Sequence, residues 1–305
     1  MKEGTTRPLF LFHPIGGGIF CYNELVGALD GDFKVYGVGG YTNSLRDALT
    51  ISDIAATYCE HIRRLQPQGS FIFIGYSLGA IIATEVAQEM KRLGRSIEIL
   101  AFIDAMPFAR RVLARENIWA NFARLLLREW PPNAGEADVL CDDDEPRFRE
   151  LLSRLNNTQH GFYTMDDLKT LYEIYRCHLF ALSDYTQSVY GGKVVQYEAS
   201  EGKPRHDLPG SGNVVNGFDE FWSANEVIKI NANHYSIMTG TSIRLIARDL
   251  SARLNRLEAR SVSESCGTCG KELPCGHAAG NGRDSQSKPT ASMRLRRRRR
   301  LDYGS

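Results

Sequence analysis

The sequence predicts an α/β fold: a mostly parallel, doubly wound sheet interrupted by a helical insertion. Three observations predict it. Leu9-Phe10-Leu11-Phe12, Phe71-Ile72-Phe73-Ile74 and Ile97 to Ile103 are apolar at nearly every position, as strands covered on both faces must be. Segments of helical periodicity alternate with these runs, which is the pattern of parallel strands joined by crossover helices. At 305 residues, with 43% hydrophobic and 24% charged, the chain is long enough for a sizeable core and has an ordinary globular composition.

The elements follow in order. The first strand, residues 9–12, runs into a glycine-rich turn, His13-Pro14-Ile15-Gly16-Gly17-Gly18. Tyr22, Leu25, Val26 and Leu29 share one face of a helix over residues 20–29. A second strand covers 33–38. Ser52-Asp53 starts a helix whose apolar face is Ile54, Ala55, Tyr58, Cys59 and Ile62. The strand of residues 71–74 leads through a short turn to a helix that Gly94 ends near Leu93. Ile97 to Ile103 is the next buried strand. After Pro107 the pattern changes. From about 108 to 190 the signals are helical, at Trp119 to Leu127 and Leu168 to Leu182, around an acidic loop Cys141 to Pro146. That stretch reads as a lid over the site. Strands return at Lys193 to Tyr197 and Val227 to Ile230, and a helix from Ser242 to Leu257 closes a domain of residues 1–260. Residues 261–305, rich in Ser, Gly, Asn and Arg, read as a disordered tail.

Charge and cysteine usage exclude several roles. The tail carries nine cationic residues against four acidic ones, so residues 1–260 are mildly acidic, and no case for nucleic-acid binding arises. No apolar stretch is long enough to span a membrane, and no signal-peptide core precedes the first strand, so a cytoplasmic, monomeric protein is expected. Cys21, Cys59, Cys141 and Cys177 lie scattered in the body as reduced thiols. In the tail, Cys266, Cys269, Cys275 and His277 form a weak four-ligand zinc pattern, with a gap between pairs shorter than usual, so no metal is expected.

Chemistry concentrates at Gly75-Tyr76-Ser77-Leu78-Gly79. Gly-x-Ser-x-Gly between a strand and a helix is the nucleophile elbow of α/β-hydrolases, where a sharp turn lifts the serine hydroxyl above the sheet. A serine nucleophile needs a base and an acid that orients it, in the chain order Ser, Asp or Glu, His. Asp104 ends the strand after the elbow, and Glu198, Glu201 and Asp207 are rival acids after the later strand. His234, in the loop before the closing helix, is the base. His61, His160, His178 and His206 are weaker candidates, and His13 lies where it could shape the adjoining loop. An oxyanion hole needs two backbone N–H donors, expected from Leu78 and Ile15. The run Gly16-Gly17-Gly18 misses both phosphate-cradling glycine patterns.

These pieces together resemble the thioesterase domains of nonribosomal peptide synthetases and polyketide synthases. The resemblance rests on Phe12 to Gly17, Leu65-Gln66-Pro67-Gln68-Gly69, the elbow, Ile103-Asp104 and Asn233-His234-Tyr235, and spans roughly residues 8–257. It implies a serine acyl-enzyme loaded from the phosphopantetheine arm of an acyl or peptidyl carrier protein. It also implies release by hydrolysis or cyclisation with no cofactor of the enzyme's own, and it favours Asp104 as the acid. Two departures stand out: Asn233 where many members have Gly, and an elbow Gly-Tyr-Ser-Leu-Gly, commoner in terminal release domains than in free-standing ones. With no carrier segment before residue 8, the chain is expected to be a free-standing enzyme or an excised terminal domain. An esterase or lipase acting on small esters, and a non-catalytic binding protein on the same fold, are the alternatives.

Overall fold

The computed structural model describes residues 1–40, 50–105, 118–127, 145–157, 163–183, 185–201 and 222–267. In chain order the elements are β1 (Leu9–Phe12), a 3₁₀ turn at Phe20–Tyr22, α1 (Asn23–Ala28), β2 (Val35–Val38), α2 (Ile51–Leu65), β3 (Phe71–Tyr76), α3 (Leu78–Arg92) and β4 (Ile97–Ile103). The helices α4 (Ile118–Leu127), α5 (Glu145–Asn156) and α6 (Met165–Ser183) come next, followed by β5 (Tyr190–Ala199), β6 (Trp222–Ile230) and α7 (Gly240–Gly267). The strands form one sheet in the order β2-β1-β3-β4-β5-β6, with every neighbouring pair parallel.

Strand alternation sorts the apolar side chains into two layers. Phe10, Phe12, Phe71, Phe73, Leu100 and Phe102 pack under α2 and α3. Leu9, Leu11, Ile72, Ile74, Ala101 and Ile103 point the other way, onto Tyr22, onto Leu25 of α1 and onto Ile243, Ile246, Leu250 and Leu254 of α7. The insertion has a core of its own, in which Ile118, Phe122, Phe148, Leu151, Leu155, Leu168, Tyr175 and Leu179 meet. Ala181 and Leu182, at the end of α6, belong instead to the layer under α2 and α3, so this helix is rooted in the main body. Residues Met1–Val262 form one compact unit.

Several boundaries differ from the sequence reading. α2 begins at Ile51, not at Ser52-Asp53. Thr50 is its cap and Asp53 the reciprocal partner, a capping box in which each side chain bonds the other's backbone N–H. The predicted helix over 20–29 opens as a 3₁₀ turn. α5 occupies residues read as the end of an acidic loop and the stretch after it; Pro146 stands in its first turn, where a missing N–H costs nothing. β5 and β6 start earlier than predicted, pairing Tyr190 with Trp222. α7 continues to Gly267, so residues 261–267, Cys266 included, are helical and not part of a disordered tail. Cys141, Cys269, Cys275 and His277 lie outside the described residues. Among the described residues no helix is long and apolar enough to cross a membrane, and none of Cys21, Cys59 and Cys177 is in a disulfide.

α3 ends as predicted. Gly94, at φ +73°, lets its N–H reach Lys91 O at 2.9 Å and the Arg95 N–H reach Met90 O at 2.9 Å, closing the helix in a Schellman motif.

Candidate active site

The site gathers at the carboxyl ends of the strands, where open parallel sheets hold their functional groups. Ser77 links β3 to α3 at φ +55° and ψ −121°. Among the described residues, only Ser77 and Asp104 are non-glycine residues with positive φ. Such backbone costs on the order of 1–3 kcal/mol and persists where surrounding structure enforces it. Here the Ser77 N–H donates to Ile103 O at 3.1 Å, and the glycines admit the turn. A Cβ on Gly75 would stand 2.3 Å from Gly79 O, and one on Gly79 would stand 2.2 Å from Phe12 O. Although Ser77 occupies the N-cap of α3, its hydroxyl makes no capping bond. The first N–H groups of α3, starting with Leu78, have no acceptor within the helix and mark its positive end.

Asp104 follows β4 at φ +44° and is buried. A buried carboxylate is costly unless its oxygens are satisfied. The Ala199 N–H donates to Oδ1 at 3.0 Å, and His234 Nδ1 donates to Oδ2 at 2.6 Å. That bond fixes the imidazole tautomer and leaves Nε2 as the basic nitrogen. His234 is held from two sides. Tyr76, the residue before the serine, stacks on its ring with centroids 5.0 Å apart, and the Tyr76 hydroxyl donates to the His234 carbonyl at 2.6 Å. Elbow and histidine loop are thus joined directly. Asn233 Oδ1 accepts the N–H groups of Tyr235 and Ser236 at 3.0 and 2.9 Å, and its own N–H donates to Ser236 Oγ at 2.9 Å. The Asn233 side chain therefore braces the backbone that leads into the 3₁₀ turn at Ser236–Met238, work a glycine there could not do.

The loop after β1 is the other wall. The Gly17 N–H donates to Pro14 O at 2.9 Å, closing a turn around Ile15 and Gly16. His13 is fully buried; its Nδ1 bonds Pro14 O at 2.7 Å and its Nε2 bonds the Tyr58 hydroxyl at 2.7 Å. His178, from α6, bonds Ile15 O through Nδ1 at 2.7 Å and stacks on His13 at 4.7 Å. Burial, reinforced by the neighbouring His178, pushes His13 down to about 3, and burial lowers His178 as well. Both rings are neutral at neutral pH.

The sign of the pH effect follows. Unfolded, these histidines titrate near 6.5 and bind protons that the folded state refuses, so stability is lost as pH falls below 6.5. For His13 the loss is about 1.4 kcal/mol per pH unit down to its depressed value. Urea unfolding at pH 6.5 and 5.0 should therefore differ by about 2 kcal/mol from His13 alone. Equal stabilities would show that the ring is protonated in the native state.

Of the sequence candidates, Asp104 and His234 meet, and Ser77 adjoins Tyr76, which packs on His234. The rival Glu198 does not displace Asp104 from Nδ1, and Asp207 lies outside the described residues. His61 is exposed on α2, and His160 and His206 are outside the described residues. Sequence reasoning missed the clamp by Tyr76 and the reach of His178 to the loop. Both are contacts between residues far apart in the chain, which local pattern cannot show.

The family model described as "Thioesterase domain" matches residues 7–161, about half of the chain, from the first strand through the elbow and Asp104. The chain belongs to the thioesterase domain family. This thioesterase domain is 34% identical over 107 residues to the dimodular nonribosomal peptide synthase of Bacillus subtilis (strain 168), covering 34% of this chain and 4% of that protein. It is 31% identical over 99 residues to the polyketide synthase PksR of the same organism, covering 32% and 4%. The chain thus spans a small fraction of the length of these curated relatives. Among solved structures it is similar to a four-domain nonribosomal peptide synthetase, holo-AB3403, with TM-score 0.68 and 20% identity over 82% of this chain and 20% of that one. It is also similar to the Vlm2 thioesterase domain bound with a dodecadepsipeptide, with TM-score 0.59 and 17% identity over 82% and 94% of the two chains. The fold of this thioesterase domain is therefore that of the Vlm2 thioesterase domain.

Proposed function

We propose that this thioesterase domain takes an acyl or peptidyl chain from the phosphopantetheine arm of a carrier protein onto Ser77 and releases it by hydrolysis or cyclisation. The observation that carries the reading is the part-buried 2.6 Å bond between Asp104 and His234, set beside a strained serine elbow. His234 Nε2 takes the Ser77 proton as Oγ attacks the thioester carbonyl carbon. The Leu78 and Ile15 N–H groups bind the resulting oxyanion. On collapse the C–S bond breaks, the pantetheine sulfur leaves with the proton from His234, and the acyl-serine ester remains. Water, or a nucleophile on the acyl chain, then gives up a proton to His234 and attacks that ester, restoring Ser77. Asp104 stays ionised and stabilises the imidazolium in both halves. The insertion α4–α6 acts as the lid, and the shape it gives the site selects between water and the chain's own nucleophile. The enzyme needs no cofactor or metal, and works as a monomer in the cytoplasm with an acyl or peptidyl carrier protein as partner.

The test is the intact mass of the protein after mixing with an acyl-pantetheine thioester, alongside turnover of the matching simple ester. An acyl mass gain mapped to Ser77, with kcat/KM higher for the thioester, is expected. Equal or better turnover of the ester would replace the reading with that of an esterase. Failure of Ser77 to react with a fluorophosphonate would leave a binding role.

A further inference from the structure

A trans peptide points its C=O and N–H in opposite directions, so whatever grips the carbonyl also aims the amide. Ile15 is flanked by two such peptides, and each has its carbonyl gripped. Pro14 O is held by His13 Nδ1 and the Gly17 N–H, which aims the Ile15 N–H out of the turn. Ile15 O is held by His178 Nδ1 alone among the bonds that define this turn. The Ile15–Gly16 peptide is the central one of the turn from Pro14 to Gly17, the unit whose reversal interconverts turn types. Reversal requires positive φ at Gly16, which a glycine accepts at no steric cost. Gly16 nevertheless keeps a negative φ, while Gly17 takes +76°. Nothing in the turn's own sequence blocks the reversal.

The grip comes from outside the loop, across 163 residues of chain. His178 sits on α6 one turn before Ala181 and Leu182, which are packed in the main core, so its root is fixed. The ring is 2% exposed and stacks on His13 within 20° of parallel. Space for the stacked pair is kept by Gly40, where a Cβ would stand 2.9 Å from His178 Cε1 and 3.3 Å from His13 Nε2. The side chain of Ile15 itself packs against both the main core and the insertion's core.

We propose that His178 is a positioning residue for the reaction, whose Nδ1–H holds the Ile15 carbonyl so that the Ile15–Gly16 peptide cannot reverse and swing that oxygen to the side of the Ile15 N–H, where it would oppose the oxyanion. The proposal rests on the serine acyl-enzyme reading above. It makes the insertion a structural part of the oxyanion hole as well as a cover for it.

Two substitutions separate the bond from the packing. His178→Phe keeps an aromatic ring against His13 and removes the donor. His178→Asn restores an N–H close to the Nδ1 position. Removing an oxyanion donor outright costs about 10²–10³ in turnover, and loosening one costs less. His178→Phe should therefore lower kcat about 10-fold to 100-fold, with KM changed by no more than about 2-fold. The rate of Ser77 labelling by a fluorophosphonate, whose phosphoryl oxygen occupies the same hole, should fall in parallel. His178→Asn should return both to within about 3-fold of wild type. Wild-type kcat and labelling in folded His178→Phe, or equal losses in the Phe and Asn variants, would overturn the proposal. If His178→Phe does not fold, His178→Gln, whose donor lies at the Nε2 position, takes its place and must be slow where Asn is fast. Absence of labelling in the wild type would instead defeat the acyl-enzyme reading on which the proposal stands.

Discussion

Asp104→Asn should lower turnover about 10⁴-fold while leaving the fold intact, and Ser77→Ala should lower it about 10⁶-fold. Both follow from the geometry at His234. The Asp104 carboxylate accepts from Nδ1 at 2.6 Å and from the Ala199 N–H at 3.0 Å. Asparagine can satisfy the Ala199 N–H with its oxygen but then turns its NH₂ toward the ring. Nδ1 must become the acceptor, and the proton moves to Nε2, the nitrogen that should take the serine proton. The tautomer is inverted with almost no change in shape. The two residues act as a unit, so the double variant should be no slower than Ser77→Ala. Steady-state turnover of an acyl-pantetheine thioester, with thermal unfolding as the control, measures this. A Ser77→Ala enzyme retaining more than about 10⁻³ of activity would sink the assignment.

Gly79→Ala should destabilise the protein by at least about 3 kcal/mol, or prevent folding. The added methyl would lie 2.2 Å from Phe12 O and 2.8 Å from His13 O. The Phe12 oxygen is not free to give way. Phe12 belongs to β1, inside the sheet, and its carbonyl accepts the Tyr22 hydroxyl at 2.6 Å. α3 would have to lift away from β1, carrying Leu78 away from Ile15. Gly94→Ala is the useful contrast. A Cβ there meets nothing within 4 Å, and the cost is only that of positive φ, about 1–2 kcal/mol. Urea unfolding of both variants distinguishes a steric requirement from a conformational one. Similar losses would show that the close approach of α3 to β1 is not needed.

The central strands were legible because a parallel strand covered on both faces has no polar register to confuse: 9–12, 71–74 and 97–103 read as apolar runs and are strands. Away from the centre the signal weakens. β5 opens with Tyr190-Gly191-Gly192, and its burial alternates, so only its apolar middle was recognised. The start of α5 reads as loop because Glu145 and Pro146 end an acidic run, and the helix after them was not singled out. Phe148, Leu151 and Leu155, buried on one face, carried the helical period that should have outweighed it. At the candidate site, the positions of Ser77, Asp104 and His234 after β3, β4 and β6 were legible from the strand order. His178 was not, since a histidine inside a helix has no local signature of what it will meet across 163 residues.

His234 stands on the loop after β6, 130 residues beyond its partner Asp104. During synthesis the elbow, the turn around Ile15 and the acid therefore all emerge well before the base. Domains generally fold as units while the chain is made. Until the base is in place, the Ser77 hydroxyl stays close to its intrinsic, weakly nucleophilic state. Reactivity comes only when β5 and β6 have added to the sheet and the histidine loop has docked on Tyr76. On the proposed function, the order of the three groups along the polypeptide acts as a timer, the serine becoming able to accept an acyl chain only once the fold around it is nearly complete.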